Sequence, residues 1–214
     1  MSVSILDLAE NAPSAIKAQF KYNTYKSGAE IISLTGISKS YLYIIISGVT
    51  GIFKESAYGT VISVSTLSSG DIFGETEIFS PDKKPYSVQT KTECSIILVP
   101  KDTVFQWMRE VFDFSLFLCE TLTRRMCITS DTMSRIALLP IKARVLGCIS
   151  SHQLDGTLQE LTKDELISQV GAPLRSINRV IMECSRAGLI EYKNKRFQVL
   201  DSKKLSAFAE VYNI

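Results

Sequence analysis

The stretch from Leu161 to Ile190 reads LTKDELISQVGAPLRSINRVIMECSRAGLI and contains the clearest local folding signals in the chain. Thr162 and Glu165 have the spacing of a capping box, in which each residue bonds the backbone amide of the other at the start of a helix. Gly171 can adopt the left-handed conformation that ends a helix, and Pro173 suits the first turn of the next helix. The stretch therefore predicts two short helices joined by a tight turn.

The second of these helices has an apolar face and a basic side. Its apolar positions recur at helical spacing, at Leu174, Ile177, Ile181 and Cys184. After it, LIEY and RFQVL flank Lys193-Asn194-Lys195, which predicts a hairpin with a basic tip. From Gly171 to Arg196 there are six Lys and Arg against two carboxylates. Together these features predict a winged helix-turn-helix that binds double-stranded DNA. The alternative is an ordinary helical hairpin with a solvated charged face.

The first hundred residues follow a different pattern, with apolar residues at a period of two. Tyr41–Phe53, Val61–Leu67 and Ser95–Pro100 are rich in β-branched and aromatic residues, and glycines separate such runs. Many short strands with glycine corners predict a jelly-roll-like β roll, a double-stranded β-helix. The chain as a whole is therefore predicted to be an α+β protein with an all-β N-terminal part.

Between these parts, residues 104–135 contain no glycine or proline, which predicts one long helix over about that range. Apolar and small residues recur there every three or four positions, at Phe112, Leu116, Cys119, Thr123, Met126, Ser130 and Met133. This heptad spacing predicts a seam between two copies of the helix in a homodimer. The alternative is a helix packed on its own β domain. Pro140 ends the region, so we predict domains at 1–136 and 137–214.

Composition excludes several classes of function. The chain has 214 residues, of which 45% are apolar, and no apolar run is long enough to span a membrane. Its five cysteines are widely spaced without a CxxC pair, and His152 is the single histidine. We therefore expect a cytoplasmic protein with no membrane partner, no metal site, no catalytic residues and no enzymatic activity.

With these parts placed, the chain resembles the bacterial Crp/Fnr family of transcription regulators. The resemblance rests on successive β-roll signatures, a helix motif and the helix-turn-helix, at Tyr25–Ile32, Tyr43–Gly48, Gly70–Glu75, Arg124–Ser130 and Leu161–Ile190. GETEIF and the residues from Pro85 to Gln89 are similar to a YeiL-like branch of that family. The resemblance implies a homodimer on a two-fold symmetric promoter site, with RNA polymerase as a candidate partner. The alternative is a ligand-binding or dimerisation module that no longer binds DNA specifically.

The resemblance also implies which side chains meet DNA. The base-contacting positions of the family fall on Leu174, Arg175 and Arg179. Each arginine could hold a guanine, while Leu174 either touches a thymine methyl or joins Ile177 in the core, which we favour. Phosphate contacts are expected from Ser176, Lys193 and Lys195.

The resemblance also implies an effector pocket in the β roll, but without the arginine that holds the cyclic phosphate in cyclic-AMP-binding members. Gly74 and Glu75 match the ribose side in cyclic-AMP-binding members, and Thr129 and Ser130 match the adenine side. The Arg-Ser pair that holds the cyclic phosphate falls on Pro85-Tyr86, or on Tyr86-Ser87 with a shift of one residue. Losing an arginine–phosphate contact costs ~1.5–3 kcal/mol. We therefore expect an effector other than cyclic AMP, even if Lys83 or Lys84 partly substitutes. Alternatively, Gly74 is needed only because the β roll turns a corner at this position.

Other effectors of the family have residue requirements too. An iron–sulfur cluster is not expected because no cysteine precedes Cys94, and haem is not expected because the only histidine lies in the C-terminal domain. Cys119 could meet its own symmetry mate across a dimer seam as a redox sensor. The favoured reading is that Cys94, Cys119 and Cys127 are packing residues.

Overall fold

The computed structural model describes residues 3–33, 40–55, 61–80 and 86–212 of the chain. The chain divides into two compact units, Met1–Arg124 and Arg125–Ile214. The division falls inside a long helix that continues to Leu138. The domain boundary proposed at residue 137 stays a prediction.

The first unit is built on two four-stranded antiparallel sheets, with strand orders β1-β8-β3-β6 and β2-β7-β4-β5. The strands are β1 (Lys21–Tyr25), β2 (Glu30–Ile32), β3 (Tyr41–Ser47), β4 (Thr50–Glu55), β5 (Val61–Leu67), β6 (Ile72–Phe73), β7 (Ser87–Thr90) and β8 (Cys94–Pro100). The neighbours within each sheet are mostly not consecutive in the chain, as in a jelly roll. The predicted β roll is confirmed.

Strand β3 is buried on both of its faces, which explains its nearly continuous apolar sequence. Tyr43 and Ile45 pack in the core cluster that contains Val88 of the other sheet. Leu42 and Ile44, which alternate with them, pack in a second cluster with the helices of this unit. Four successive buried positions therefore follow from the place of β3 between two cores.

The helices of the first unit are α1 (Ile5–Glu10), α2 (Ser14–Lys17), α3 (Glu75–Phe79) and α4 (Lys101–Glu110), and α5 (Phe112–Leu138) begins there. The prediction of one helix over about 104–135 is wrong in its extent, because the chain breaks at Val111, which is extended at φ −126°. The rings of Trp107 and Phe114 stack across the break at 3.8 Å. The Ser115 hydroxyl donates to the Met108 carbonyl at 2.7 Å. Packing thus ends α4 where no glycine or proline marks the position.

The second unit contains the C-terminal part of α5, four further helices and a hairpin, within the described residues. These elements are α6 (Ile141–Leu154), α7 (Lys163–Val170), α8 (Leu174–Arg186), β9 (Ile190–Lys193), β10 (Arg196–Val199) and α9 (Ser202–Tyr212). Buried residues of α6, α7 and α8 share one core with Phe197 of the hairpin. The predicted pair of short helices followed by a hairpin is confirmed.

Gly74 is required by the fold itself. Its backbone is left-handed, at φ 91°, where the chain turns from β6 into α3. A Cβ at this position would lie 2.3 Å from the Tyr41 carbonyl oxygen and 2.8 Å from a ring carbon of Tyr43. The turn in the β roll is therefore enough to explain Gly74, and the glycine by itself is not evidence for a nucleotide site.

We expect Gly74→Ala to lower the free energy of unfolding by about 2–5 kcal/mol, measured by urea denaturation. About 1–2 kcal/mol comes from the left-handed backbone and about 1–3 from the overlap with strand β3. Gly70→Ala is the matched control, because Gly70 has φ 85° but a Cβ added there would meet no heavy atom within 4 Å. Equal losses in the two variants would show that the overlap at Gly74 is unimportant.

Candidate functional site

Helix α7 is closed at both ends by specific contacts. The Glu165 amide donates to the Thr162 hydroxyl at 3.2 Å, and the Thr162 amide donates to the Glu165 carboxylate at 2.8 Å. The helix ends at Gly171, which is left-handed at φ 61°. There Arg144 Nη1 donates to the Val170 carbonyl at 2.6 Å. The capping box and the glycine turn are confirmed, and they fix where the next helix begins.

Helix α8 buries one face and leaves its start exposed. Ile177, Val180, Ile181 and Cys184 are buried, while Leu174 is 48% exposed. The expectation that Leu174 joins the core is therefore wrong. Side chains on a helix lean toward its N-terminus, so a residue at the first position reaches past the packed turns. Val180 occupies the fourth core position instead.

The start of α8 also exposes its arginines. Arg175 and Arg179 are both exposed, and Ser176 between them is half-buried. Arg179 Nε lies 4.0 Å from the Glu183 carboxylate, and both side chains are more than half exposed. Glu183 is thus a neighbour of a candidate base contact that the prediction did not include, although its i, i+4 spacing on the helix is a signal for it.

The hairpin that follows has a tight basic tip. Asn194 and Lys195 both have positive φ, at 53° and 61°, as in a type I′ turn between two strands. Lys193 and Arg196 pair across the strands on either side of the turn. Lys193, Lys195 and Arg196 are all exposed. Arg196 is a third cation of the tip that the predicted contacts omitted, although it directly follows Lys195.

The predicted effector residues of the first unit do not all face its interior. Val88 of β7 is buried in the core between the sheets. Because side chains alternate along a strand, Ser87 points to the opposite face, where its hydroxyl donates to the Glu30 carboxylate at 3.3 Å. The assignment of Ser87 to an effector pocket stays a prediction. Tyr86, one residue earlier, shares the face of Val88 and is half-buried.

A lysine that sequence reasoning missed lies beside Tyr86. Strand β4 pairs with β7 so that Ile52 is opposite Val88 and Phe53 is opposite Ser87. Lys54 follows next along β4, and its Nζ lies 5.8 Å from the centre of the Tyr86 ring. The predicted substitutes Lys83 and Lys84, and Pro85, lie outside the described residues. Only the cross-strand register could have identified Lys54.

Negative charge gathers at the start of α3. Glu75 and Glu77 both belong to this short helix. Burial raises the pKa of Glu77, and the negative charge of Glu75 raises it further, while a backbone hydrogen bond opposes the shift. These two side chains therefore supply no positive charge to balance a bound phosphate.

Thr129 and Ser130 lie on the part of α5 that belongs to the second unit. Both are exposed, and the Thr129 hydroxyl donates to the Arg125 carbonyl of its own helix at 2.8 Å. Together with Met126 and Met133 they line an open groove along this helix.

The predicted seam of α5 is exposed along its whole length. Phe112 is 74% exposed, and Met126 and Met133 are each 66% exposed. Leu116, Cys119, Thr123 and Ser130 are exposed as well. The buried residues of the helix are others, namely Phe114, Leu118 and Thr121. The alternative, a helix packed on its own β domain, holds for Phe114 and Leu118, which lie in the core of the first unit, but not for the seam positions.

The three cysteines also differ in their exposure to solvent. Cys94 is buried, as a packing residue should be, but Cys119 and Cys127 are exposed on α5. The favoured reading that all three are packing residues is wrong for these two. Within the described residues, no group of three or more His, Cys, Asp or Glu side chains is arranged to hold a metal ion. In that same part of the chain, no helix has the length and apolar character of a membrane span.

Comparison with known proteins finds a matching domain and similar regulators. Residues 22–111 match the family model described as cyclic nucleotide-binding domain. A CRP-like cAMP-activated global transcriptional regulator from Mycobacterium tuberculosis is 27% identical over 174 residues, which are 77% of this chain and 78% of that protein. The chain is thus similar to CRP-like transcription regulators over 77% of its length, and it contains a match to the cyclic nucleotide-binding domain.

Solved structures of regulators share the fold of this chain. A transcriptional regulator of the Crp/Fnr family from Eubacterium rectale superimposes with a TM-score of 0.69 at 16% identity, over 95% of this chain and 97% of that one. A mutant of CooA from Carboxydothermus hydrogenoformans has a TM-score of 0.74 at 15% identity, over 98% and 97%. At these identities the likeness concerns the fold alone. The narrower YeiL-like assignment stays a prediction.

Proposed function

We propose that this protein is a Crp/Fnr-type transcription regulator: a non-catalytic, cytoplasmic homodimer that binds a two-fold symmetric promoter site and responds to an effector other than cyclic AMP. The observation that carries the proposal is the exposed start of α8, which presents Leu174, Arg175 and Arg179 beside a basic hairpin tip. RNA polymerase is the expected further partner of a promoter-bound regulator.

The start of α8 has the side chains needed to read base edges in the major groove. Arg175 and Arg179 are four residues apart and so lie on one face, where each can donate two hydrogen bonds to a guanine. The exposed Leu174 is free of the core and can contact a thymine methyl. Ser176, Lys193 and Lys195 are suited to phosphates, which position the protein without reading sequence.

We expect Arg179→Ala to weaken binding to the selected site by ~1–3 kcal/mol and to relax the preference at one base pair per half-site. Lys195→Ala should weaken binding to all sequences alike and reduce the salt slope by about one. Fluorescence anisotropy on the selected site and on scrambled DNA, at two salt concentrations, measures both effects. Lys26→Ala, which removes an exposed cation of the first unit, is the charge control.

Two outcomes would contradict this assignment. Equal losses on selected and scrambled DNA for Arg179→Ala would mean that Arg179 contacts phosphate. If selection from random DNA gives no enriched palindrome, the alternative of a ligand-binding or dimerisation module that no longer reads DNA is favoured.

The exposed seam of α5 supports the homodimer. Its apolar side chains, including Phe112, Met126 and Met133, are largely exposed in the single chain. Contiguous exposed apolar residues of this kind mark an interaction surface. Their heptad spacing fits a second copy of the same helix, related by a two-fold axis, because both helices then offer the same seam.

Met126→Glu is expected to shift the protein toward monomer in sedimentation velocity, because two carboxylates would meet near the two-fold axis. Ile128→Glu is the matched control: Ile128 is 59% exposed on the same helix but lies on the face away from the seam. An unchanged dimer for Met126→Glu, or equal dissociation of both variants, would assign the contact to another surface.

The residues around Tyr86 support an effector other than cyclic AMP. Tyr86 occupies the position expected for the arginine under the one-residue shift, and Lys54 beside it supplies a single ammonium. An ammonium is a mobile point charge and cannot form the paired hydrogen bonds of a guanidinium. Among the described residues, this position therefore offers positive charge without the forked contact that an arginine would make to a cyclic phosphate.

By titration calorimetry we expect no micromolar binding of cyclic AMP to the natural sequence and an affinity about 10–150-fold higher in Tyr86→Arg. The gain corresponds to one restored charge-assisted contact of ~1.5–3 kcal/mol. Tyr22→Arg, at a 59% exposed position of β1, adds the same charge elsewhere and is the control. Micromolar binding by the natural sequence would show that Lys54 or another cation already replaces the arginine.

A further inference from the structure

The second unit contains a small cavity that lies apart from the residues proposed to contact DNA. It lies between the end of α5, helix α6 and helix α7, with a volume of about 110 Å³. Its polar lining comes from Arg135 on α5, from Arg144, Cys148 and Ser151 on α6, and from Gln169 on α7. We propose that this cavity binds a small oxyanion, a phosphate or a carboxylate.

The charge of the lining favours an anion. Two guanidinium groups line the cavity, and none of its lining residues is acidic. Glu165 is the carboxylate that acts electrostatically on Cys148. Its carboxylate already accepts hydrogen bonds from the Thr162 amide and hydroxyl, at 2.8 and 2.9 Å. The positive charge is therefore not neutralised from within the lining.

The donors of the cavity are held in place before any ligand arrives. Arg144 Nη1 donates to the Val170 carbonyl, which fixes the plane of its guanidinium. The Arg144 Nε is buried and has no hydrogen-bond partner within the described residues. The Gln169 side chain is held by the Cys148 thiol at 3.0 Å and by a contact with the His152 ring at 3.1 Å. Arg144 therefore belongs to the lining with a fixed orientation, together with Arg135 and Ser151.

Part of the cavity wall, at Arg144 and Cys148, is partly buried, which strengthens its attraction for an anion. Burial raises the pKa of the Cys148 thiol to about 12, so the thiol remains neutral at physiological pH. Burial also lowers the pKa of Arg144. A charge in such surroundings gains more from a counter-ion than a charge in water does.

The volume limits the ligand to a small group. About 110 Å³ corresponds to the space of roughly three or four water molecules at ~30 Å³ each. Inorganic phosphate or a short carboxylate fits that space, and a whole nucleotide does not. Such a ligand would join three helices, including α7, whose end fixes the start of α8. Binding is therefore expected to stabilise the helix-turn-helix.

The test is thermal unfolding of the full chain in increasing sodium phosphate or sodium acetate, each at constant ionic strength with sodium chloride. A saturable rise in Tm is expected with at least one of the two anions, and the anion that saturates identifies phosphate or carboxylate as the ligand. Arg135→Gln should weaken that apparent affinity by about tenfold, because one charge-assisted contact is lost. Arg124→Gln, at an exposed position on the same helix, is the control and should leave the affinity unchanged.

Two results would overturn the proposal. The first is the absence of a saturable rise with either anion. The second is a rise of the same size and midpoint in Arg135→Gln as in the natural sequence, which would reflect a general salt effect. Ser151→Ala is a second variant that should also weaken binding, so a folding defect in one variant does not decide the outcome. DNA binding is measured separately and does not enter this test.

Discussion

The turn at Gly171 is the constraint on which the candidate DNA surface depends. The glycine is left-handed, and a Cβ there would lie 2.6 Å from the Ile136 side chain. Arg144 satisfies the last carbonyl group of α7 from the side, and the capping box satisfies its first amides. With both ends of α7 fixed, α8 must begin at Leu174. The exposure of Leu174, Arg175 and Arg179 follows from that starting point.

Helix α5 shows how one element can serve a core and an interface together. Phe114, Leu118 and Thr121 bury one side of it, and the seam from Phe112 to Met133 remains exposed on another. A helix offers several faces because it has 3.6 residues per turn, so the two sets do not compete. The heptad pattern allowed two interpretations, a dimer seam and a helix packed on its own β domain. Different residues of α5 fit each of them, because the seam positions are exposed while Phe114 and Leu118 are buried.

Positively charged side chains lie in three different environments in the chain. At α8 and the hairpin tip the cations are exposed, as contacts with a polyanion require. In the first unit, the ammonium of Lys54 lies 5.8 Å from the centre of the Tyr86 ring. Between α5, α6 and α7 two arginines line a small cavity. The net charge of +2 shows none of this, because it sums over groups in unlike surroundings.

The sequence by itself determined the features that rest on neighbouring residues: the capping box, the glycine turn, the strand and helix periods and the basic hairpin tip. These depend on backbone geometry over a few residues, so their spacing is sufficient to predict them. Only the tertiary structure decided the break at Val111, the exposure of Leu174, the outward direction of Ser87 and the position of Lys54 beside Tyr86. Each of these depends on packing or strand register between segments that local patterns do not pair, because a short sequence pattern does not specify which segments meet.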